Sequence, residues 1–220
     1  RLRAMKIRPS VCFILLGLLL VLLFAADLLL GSVSLAAGEV VRVLTGHSSD
    51  PQATTLVTHF RLPKAVSAIV VGAALSASGL QMQTLFRNPL AGPYVLGISS
   101  GASLGVSLFL LGAPLLGISF ASEALRNVGI VGSAWIGGAL ILLVIMAVSA
   151  RLKDIMAILI LGMMFGSAAS AVVQILQYLS TDSALKSFVI WTMGSLGGVS
   201  LAQLGLMSGI VLAGLILSVY

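Results

Sequence analysis

The feature that most limits the fold of this chain is a succession of apolar runs that carry almost no charge. Each run holds roughly 17 to 25 residues, the length that an α-helix needs to cross the hydrocarbon core of a bilayer. Six spanning helices are predicted, at Val11–Leu30, Leu62–Phe86, Val95–Leu111, Val128–Ala150, Ile155–Leu179 and Leu201–Tyr220. Because 59% of the residues are hydrophobic and only 8% are charged, a water-soluble domain of this size is excluded. We therefore expect an all-α, polytopic transmembrane helix bundle that forms one domain over residues 1–220.

A polar, proline-containing break separates the second predicted helix from the third. Pro89 and Pro93 forbid a continuous helix, because proline lacks the backbone donor and clashes with the preceding turn. Three glycines follow at steps of four, which places them on one predicted helical face that another backbone can approach closely: Gly97, Gly101 and Gly105. The third helix is short for a full crossing. Transporters use such helices where the backbone is buried in protein or lines a pathway.

Three motifs in this order carry a resemblance to a known family. They are RLPK at Arg61–Lys64, VGAALSASGLQMQ at Val71–Gln83 and RNPLAGPYVLGISSGA at Arg87–Ala102. Together they resemble the signature of the FecCD-type permeases, the membrane subunits of bacterial ABC importers for iron chelates, haem and vitamin B12. The segment from Trp191 is also similar to the family, which has a short helix on the outer surface at that point.

The resemblance implies an assembly as well as a fold. The family has the type II ABC importer permease fold with ten spans, so this chain would hold about the first six. It would form a homodimer with a pathway between the subunits, beside two ATP-binding cassette subunits and a periplasmic or lipoprotein substrate-binding protein. ATP and Mg²⁺ would bind to the partner ATPase, so we expect no cofactor on this chain. Siderophore, haem and cobalamin importers share these motifs, which leaves the chelate open.

The distribution of functional groups excludes several other classes of protein. No lysine follows a glycine as in a phosphate-binding loop, and HExxH is absent, so the chain is not expected to be an enzyme. The single cysteine, Cys12, excludes an internal disulfide and any site built from several cysteines. His47 and His59 are expected to be solvated loop residues rather than metal ligands. Basic residues flank the apolar runs, so the net charge of +6 indicates membrane lipid rather than nucleic acid.

The basic residues also predict the orientation. If the N-terminus is cytoplasmic, the short inner flanks hold Arg1, Arg3, Lys6, Arg8, Arg87, Arg151 and Lys153. The longer outer loops then hold Arg42, Arg61, Lys64, Arg126 and Lys186. The positive-inside rule favours this arrangement, and the family resemblance implies that the membrane is the inner membrane of a bacterium. Arg1–Pro9 and Arg151–Asp154 are thus predicted to be cytoplasmic and Gly31–Phe60 periplasmic.

No charged residue falls in the middle of a predicted span, which bears on how transport would be driven. Proton-coupled carriers and intramembrane enzymes usually need ionisable groups at that depth. An ATP-driven importer permease is therefore favoured over a secondary transporter. A membrane scaffold or an intramembrane hydrolase remains a third class, although a hydrolase would need a base close to its nucleophile.

Candidate functional residues follow from the break and from the family resemblance. The break is predicted to form an inner gate or part of the pathway, with the residues Gln81, Asn88, Pro89, Leu90 and Ala91. Polar residues of the third and fifth helices are candidates to line the pathway or to join helices: Ser99, Ser100, Gln174 and Gln177. The resemblance implies that Arg61 and Lys64 meet acidic residues of the binding protein, while anchoring at the membrane surface is the alternative.

Overall fold

The structure, a computed structural model, describes residues 8–118, 122–151 and 154–218. Within these ranges the regular elements are helical and no strand occurs, which confirms the all-α prediction. The α-helices are α1 Pro9–Leu29, α2 Ala37–Leu44, α3 Pro51–Thr55, α4 Leu62–Phe86, α5 Ile98–Ser107, α6 Ala113–Leu115, α7 Glu123–Ser149, α8 Ile155–Leu179, α9 Asp182–Met193 and α10 Leu201–Leu217. Two π-helical segments, Leu56–Arg61 and Leu108–Gly112, and a 3₁₀ turn, Pro93–Leu96, join some of them.

Five helical segments of the described chain are long and apolar enough to cross a membrane. They are Pro9–Leu29, Pro51–Phe86, Ile98–Leu115, Glu123–Ser149 and Met156–Leu179. The sixth predicted span corresponds to α10, which holds 17 residues in the described part of the chain and is shorter than the other five. The polytopic prediction is therefore confirmed by five segments, with α10 as a shorter apolar helix.

The chain folds into two compact units. The first comprises the described residues up to Ala74 and from Leu196 onward, and the second comprises Leu75–Ser195. The core of the first unit gathers apolar side chains from the end of α1, from α2 and from the segment that leads into α4: Leu28, Val40, Val43, Ala53, Val57 and Ala65. This core lies beside the polar loop that ends at Asp50.

In the second unit α5 packs against both α7 and α8. One apolar cluster joins the end of α4 and the 3₁₀ turn to α7 and α8: Phe86, Ala91, Leu96, Ile141, Ile145 and Leu159. A second cluster surrounds Phe188 of α9, which is 1% exposed and packs on Val106, Leu110, Leu111 and Val173. Phe188, a fully buried aromatic side chain, thus anchors the short helix α9 in the unit, with Ala184 and Trp191 packed beside it.

Two predicted helices have the bounds of an observed α-helix, and for α8 local capping agrees with the apolar pattern. The prediction of Leu62–Phe86 matches α4, and Ile155–Leu179 matches α8. The Asp154 carboxylate accepts a hydrogen bond from the Met156 backbone N–H at 2.9 Å, which satisfies a free donor at the start of α8.

Other predicted boundaries were wrong. The helical structure that continues into α4 begins earlier, at Pro51, because Asp50 caps the Gln52 N–H at 2.9 Å and Pro51 occupies the first turn. The third helix continues past Leu111 as far as Leu115, through the π-helical segment. α7 begins at Glu123 rather than Val128, because the Ser122 hydroxyl accepts from the Leu125 N–H.

Candidate functional site

The break after α4 is a hydrogen-bonded turn organised by Asn88. The Asn88 N–H donates to the Gln83 carbonyl at 3.1 Å, its Oδ1 accepts from the Leu90 N–H at 2.9 Å and its carbonyl accepts from the Ala91 N–H at 3.1 Å. Arg87, just before it, has φ of 48°, which is uncommon for a residue other than glycine. Residues 88–92, named here the 88–92 turn, thus have a fixed backbone that depends on one asparagine.

The two apolar side chains of the 88–92 turn have different surroundings. Leu90 is 81% exposed, and Pro89 is exposed beside it. Ala91 is buried and belongs to the apolar cluster that contains Ile145 and Leu159. Leu90 is therefore free to contact another chain, while Ala91 packs the turn against the neighbouring helices.

Gly97 ends the 3₁₀ turn in the left-handed region, with φ of 70°. A Cβ at this position would lie 2.7 Å from the carbonyl oxygen of Gly162 and 3.2 Å from the backbone of Gly166. Both the backbone angle and the contact with α8 therefore require glycine.

Gly101 and Gly105 face a different helix from Gly97. A Cβ on Gly101 would lie 2.6 Å from the Gly137 carbonyl oxygen, and one on Gly105 would clash with the Ser133 carbonyl. The three glycines thus do not form one packing face: Gly97 contacts α8, whereas Gly101 and Gly105 contact α7. Spacing by four cannot show this, because Gly97 precedes the α-helix and has non-helical dihedral angles.

An open groove of about 680 Å³ lies in the second unit, beside the contact of Gly97 with α8. Its walls come from the 3₁₀ turn, α5 and α8: Tyr94, Val95, Gly97, Ser100, Gly162, Met163, Gly166, Ser167, Ser170, Ala171 and Gln174. The volume is within the range of roughly 300–1,000 Å³ that is typical of small-molecule sites. The groove is lined by neutral side chains, with hydroxyl and amide groups among apolar and small residues.

Two of the predicted lining residues, Ser100 and Gln174, line this groove, whereas Ser99 and Gln177 are outside its lining. Gln81 is exposed on the last turns of α4 and also lies outside it. Sequence reasoning missed Tyr94, Met163 and the two serines of α8. Gly166 and Ser170 are spaced by four, an interval that is typical of helix packing in membranes but does not indicate that a cavity lies alongside.

Arg61 is buried, at 7% exposure, and its guanidinium binds backbone carbonyls of the first unit. It donates to the carbonyls of Leu28 at 2.8 Å and Leu29 at 3.1 Å, and also to that of Val33. The contacts with Leu28 and Leu29 cap the C-terminal end of α1, where carbonyls lack helical partners and a cation is favoured, and the contact with Val33 holds the following loop. The geometry does not support the expected role of Arg61 in docking, because its donors already face this chain's own backbone.

Lys64 lies one turn later and is half exposed. Its Nζ is 2.9 Å from Oδ1 of Asp27, near the end of α1. In contrast to Arg61, its ammonium group is at the surface of the unit and can exchange this partner for another carboxylate.

The described residues place neither histidine in a group that could hold a metal ion. His59 lies in the π-helical segment Leu56–Arg61, so its predicted position in a loop was wrong, while His47 follows α2 in a loop. Among the described residues, no group of three or more histidine, cysteine, aspartate or glutamate side chains is placed to hold a metal ion.

Comparison with known proteins identifies the family. The model of the FecCD transport family matches residues 18–220, which is nearly the whole chain. The chain belongs to the FecCD transport family. The resemblance of the three motifs is thereby confirmed.

Relatives within the FecCD family transport different solutes. The chain is 37% identical over 211 residues to the hemin transport system permease protein HmuU of Yersinia pestis, covering 90% of this chain and 58% of the relative. It is 37% identical over 179 residues to the vitamin B12 import system permease protein BtuC of Escherichia coli, covering 81% of this chain and 52% of BtuC. It is 33% identical over 186 residues to the molybdate import system permease protein MolB of Haemophilus influenzae, covering 82% of this chain and 52% of MolB.

A solved structure shares the FecCD fold of this chain. It is an inward-facing conformation of a metal-chelate type ABC transporter, with a TM-score of 0.69 and 30% sequence identity. The match covers 89% of this chain and 56% of the solved chain. This chain therefore spans a little over half the length of the proteins that it matches.

Proposed function

We propose that this chain is part of the transmembrane permease subunit of an ABC importer. The solute would be an iron-siderophore, haem or cobalamin-type chelate that passes from the periplasm to the cytoplasm of a bacterium. The observation that carries the proposal is the continuous family match over residues 18–220. Related permeases for hemin and vitamin B12 support the class of solute.

The distribution of charge supports a partner protein as the source of the energy for transport. In α1, α4 and α7 the charged side chains lie near the ends, as Asp27, Lys64 and Arg126 do, while α5, α8 and α10 contain none. A proton-coupled carrier would need ionisable groups at membrane depth. The permease would therefore bind an ATP-binding cassette subunit, which holds ATP and Mg²⁺ and hydrolyses the nucleotide.

The assembly would be a homodimer in which the 88–92 turn forms the inner gate. Asn88 fixes the backbone of this turn, and Leu90 presents a nearly fully exposed apolar side chain. Two such turns facing each other across a twofold axis would close a pathway by apolar contact. Orientation with a cytoplasmic N-terminus, which the charge distribution favours, would place this turn on the cytoplasmic side.

On the opposite side the substrate-binding protein would meet Lys64. The half-exposed ammonium group pairs with Asp27 over 2.9 Å in the free permease. Because rim charges chiefly control encounter and specificity, an acidic residue of the binding protein can compete for it.

The proposal is tested with the complete permease, expressed together with the ATPase and binding protein encoded beside it. Copurification with the ATPase, and uptake of hemin, cyanocobalamin or a ferric siderophore into proteoliposomes only when ATP is inside, are the expected results. A Walker-lysine variant of the ATPase serves as the control and should abolish uptake. Uptake driven by a proton gradient without nucleotide would overturn the proposal in favour of a secondary transporter.

A further inference from the structure

Tyr94 lies between the groove and the 88–92 turn. Its ring packs on Gly92, where a Cβ would be only 2.6 Å from Cε1 of the ring, and its hydroxyl is 3.5 Å from the Leu90 carbonyl. The same side chain lines the groove and is 67% exposed. One side of the residue thus contacts the turn, while much of its surface remains open to a molecule in the groove.

The backbone that carries Tyr94 is held at both ends. Pro93 opens the 3₁₀ turn with a fixed φ, and Gly97 closes it against the backbone of α8. Between them Leu96 is buried in the apolar cluster of the unit. The backbone beneath the ring is thus fixed before any ligand arrives, which reduces the entropy lost on binding.

The chemistry of the groove limits what can bind there. None of its lining residues is acidic or basic, and none is a cysteine or histidine. A bare metal ion would find no carboxylate, thiolate or imidazole ligand, and a small oxyanion would find no cationic side chain. Tyr94 and Met163 instead offer an aromatic face and a polarisable thioether, and Ser100, Ser167 and Gln174 offer neutral hydrogen-bonding groups.

We propose that the groove is a binding subsite for a solute with a flat, conjugated face, and that Tyr94 determines this specificity by stacking on that face. The inference rests on the proposed function, because the solute is the chelate that the permease transports. The serine and glutamine side chains would bind the polar edge of the solute. Through its contacts with Gly92 and Leu90, the stacked ring would also bring the solute into contact with the 88–92 turn.

Equilibrium binding to the complete permease in lipid nanodiscs tests the proposal, with hemin as the conjugated probe and ferrichrome as a chelate without an aromatic ring. Tyr94→Leu should weaken hemin binding about fivefold, as expected for the loss of an aromatic pair, and leave ferrichrome binding unchanged. Tyr94→Phe should retain hemin binding. The matched control is Tyr178→Leu, which alters a tyrosine that is 88% exposed and outside the groove lining.

In these binding measurements, the proposal would be overturned by no hemin binding to the parent protein, by equal binding to Tyr94→Leu, or by an equal loss in Tyr178→Leu. A smaller amount of inserted Tyr94→Leu protein with unchanged hemin affinity would make Tyr94 an interfacial anchor instead. Copurification of the ATPase is measured on the same samples. If the ATPase copurifies while hemin affinity is independent of Tyr94, this inference fails and the proposed function stands.

Labelling of the groove tests whether it is open to a solute in the assembled protein. Ser167→Cys in a Cys12→Ser background should react with a water-soluble maleimide, and hemin should slow the reaction. The control His47→Cys, at an exposed position of the first unit, should react at the same rate with and without hemin. If Ser167→Cys does not react in the absence of hemin, another helix fills the groove and the proposal is wrong.

Discussion

Gly101 and Gly137 occupy reciprocal positions on α5 and α7. A Cβ on Gly101 would lie 2.6 Å from the carbonyl oxygen of Gly137, and a Cβ on Gly137 would strike the carbonyl oxygen of Gly101. The two backbones are therefore in direct contact, without a side chain between them. Such close approach is a main source of stability for helix pairs in lipid, where burial of apolar side chains gives little gain.

We predict that Gly137→Ala destabilises the bundle by about 1–3 kcal/mol, the usual effect of excess volume at a packed contact. The measurement is the thermal unfolding of purified protein in a mild detergent. Gly132→Ala is the matched control, because a Cβ on that glycine of the same helix meets nothing within 4 Å. It should be neutral or slightly stabilising, since alanine favours helix. Equal destabilisation by both variants would contradict direct backbone contact.

Arg61→Ala should destabilise the first unit by at least about 2 kcal/mol, because it leaves three carbonyls without their charged donor. Arg61→Lys should rescue only part of this loss, since one ammonium group cannot reproduce the planar fork of the guanidinium. The rate of protease cleavage within residues 30–36, the loop between α1 and α2, measures how far the loop has loosened.

Arg42→Ala provides the comparison for Arg61, because the Arg42 side chain is 68% exposed and pairs with Glu39 on the surface. Such a pair contributes little, so cleavage should not increase. If Arg61→Ala weakens association with the binding protein while cleavage and thermal stability are unchanged, Arg61 docks the partner after all.

Lys64→Glu should weaken association with the binding protein, and the effect should grow as the salt concentration falls. Asp27→Asn removes the partner of Lys64 within the chain and should leave association unchanged or strengthen it. Association rates at two ionic strengths, measured on immobilised permease, distinguish these outcomes. Loss of association in Asp27→Asn would show that the ion pair itself, rather than the free ammonium, is needed.

Leu90→Cys in a complete, Cys12→Ser background should crosslink to its symmetry mate, with a yield that changes when nucleotide binds the ATPase, because this side chain is exposed and the substitution leaves the Asn88 hydrogen bonds in place. The crosslink should stop transport until it is reduced. Absence of pairing in every nucleotide state, in a complex that remains dimeric, would leave the 88–92 turn with a structural role only.

Arg151→Cys and His47→Cys test the orientation, since both positions are exposed and are predicted to lie on opposite sides of the membrane. In intact spheroplasts an impermeant maleimide should label His47→Cys and spare Arg151→Cys. The reverse pattern would overturn the cytoplasmic N-terminus. Arg1, Arg3, Lys6 and Lys153, which also entered the charge count, lie outside the described residues.

The sequence predicted the helices best where an apolar run and a cap coincide, as at Asp154 before α8. It predicted less well where tertiary contacts decide the structure. The acceptors of Arg61 lie 28 to 33 residues earlier in the chain, so local pattern gave no reason to bury this side chain. Likewise, the left-handed conformation of Gly97 directs it to α8, although its spacing suggested a common face with Gly101.

The groove was predicted only in part for a similar reason. Ser100 and Gln174 stand out in an apolar sequence because they are polar, so they were recognised as candidates. Tyr94 and Met163 are ordinary membrane residues by composition, and they become notable only when α8 and the 3₁₀ turn are placed side by side. Composition identifies polar groups in a membrane, but it does not identify the apolar walls around them.

The helices differ in how far each depends on its neighbours, and this has a consequence for biogenesis. The most apolar stretch of α1 has a mean hydropathy of 2.8, and 6% of its residues are buried. The corresponding stretch of Ile98–Leu115 has a mean hydropathy of 1.6, and 28% of its residues are buried. Partitioning from the translocon into lipid follows the hydrophobicity of the single segment. α1 should therefore enter the bilayer by itself as it leaves the ribosome. The segment that begins with α5 should remain beside the translocon until α7 emerges and its Gly137 can pack against Gly101 and Gly105.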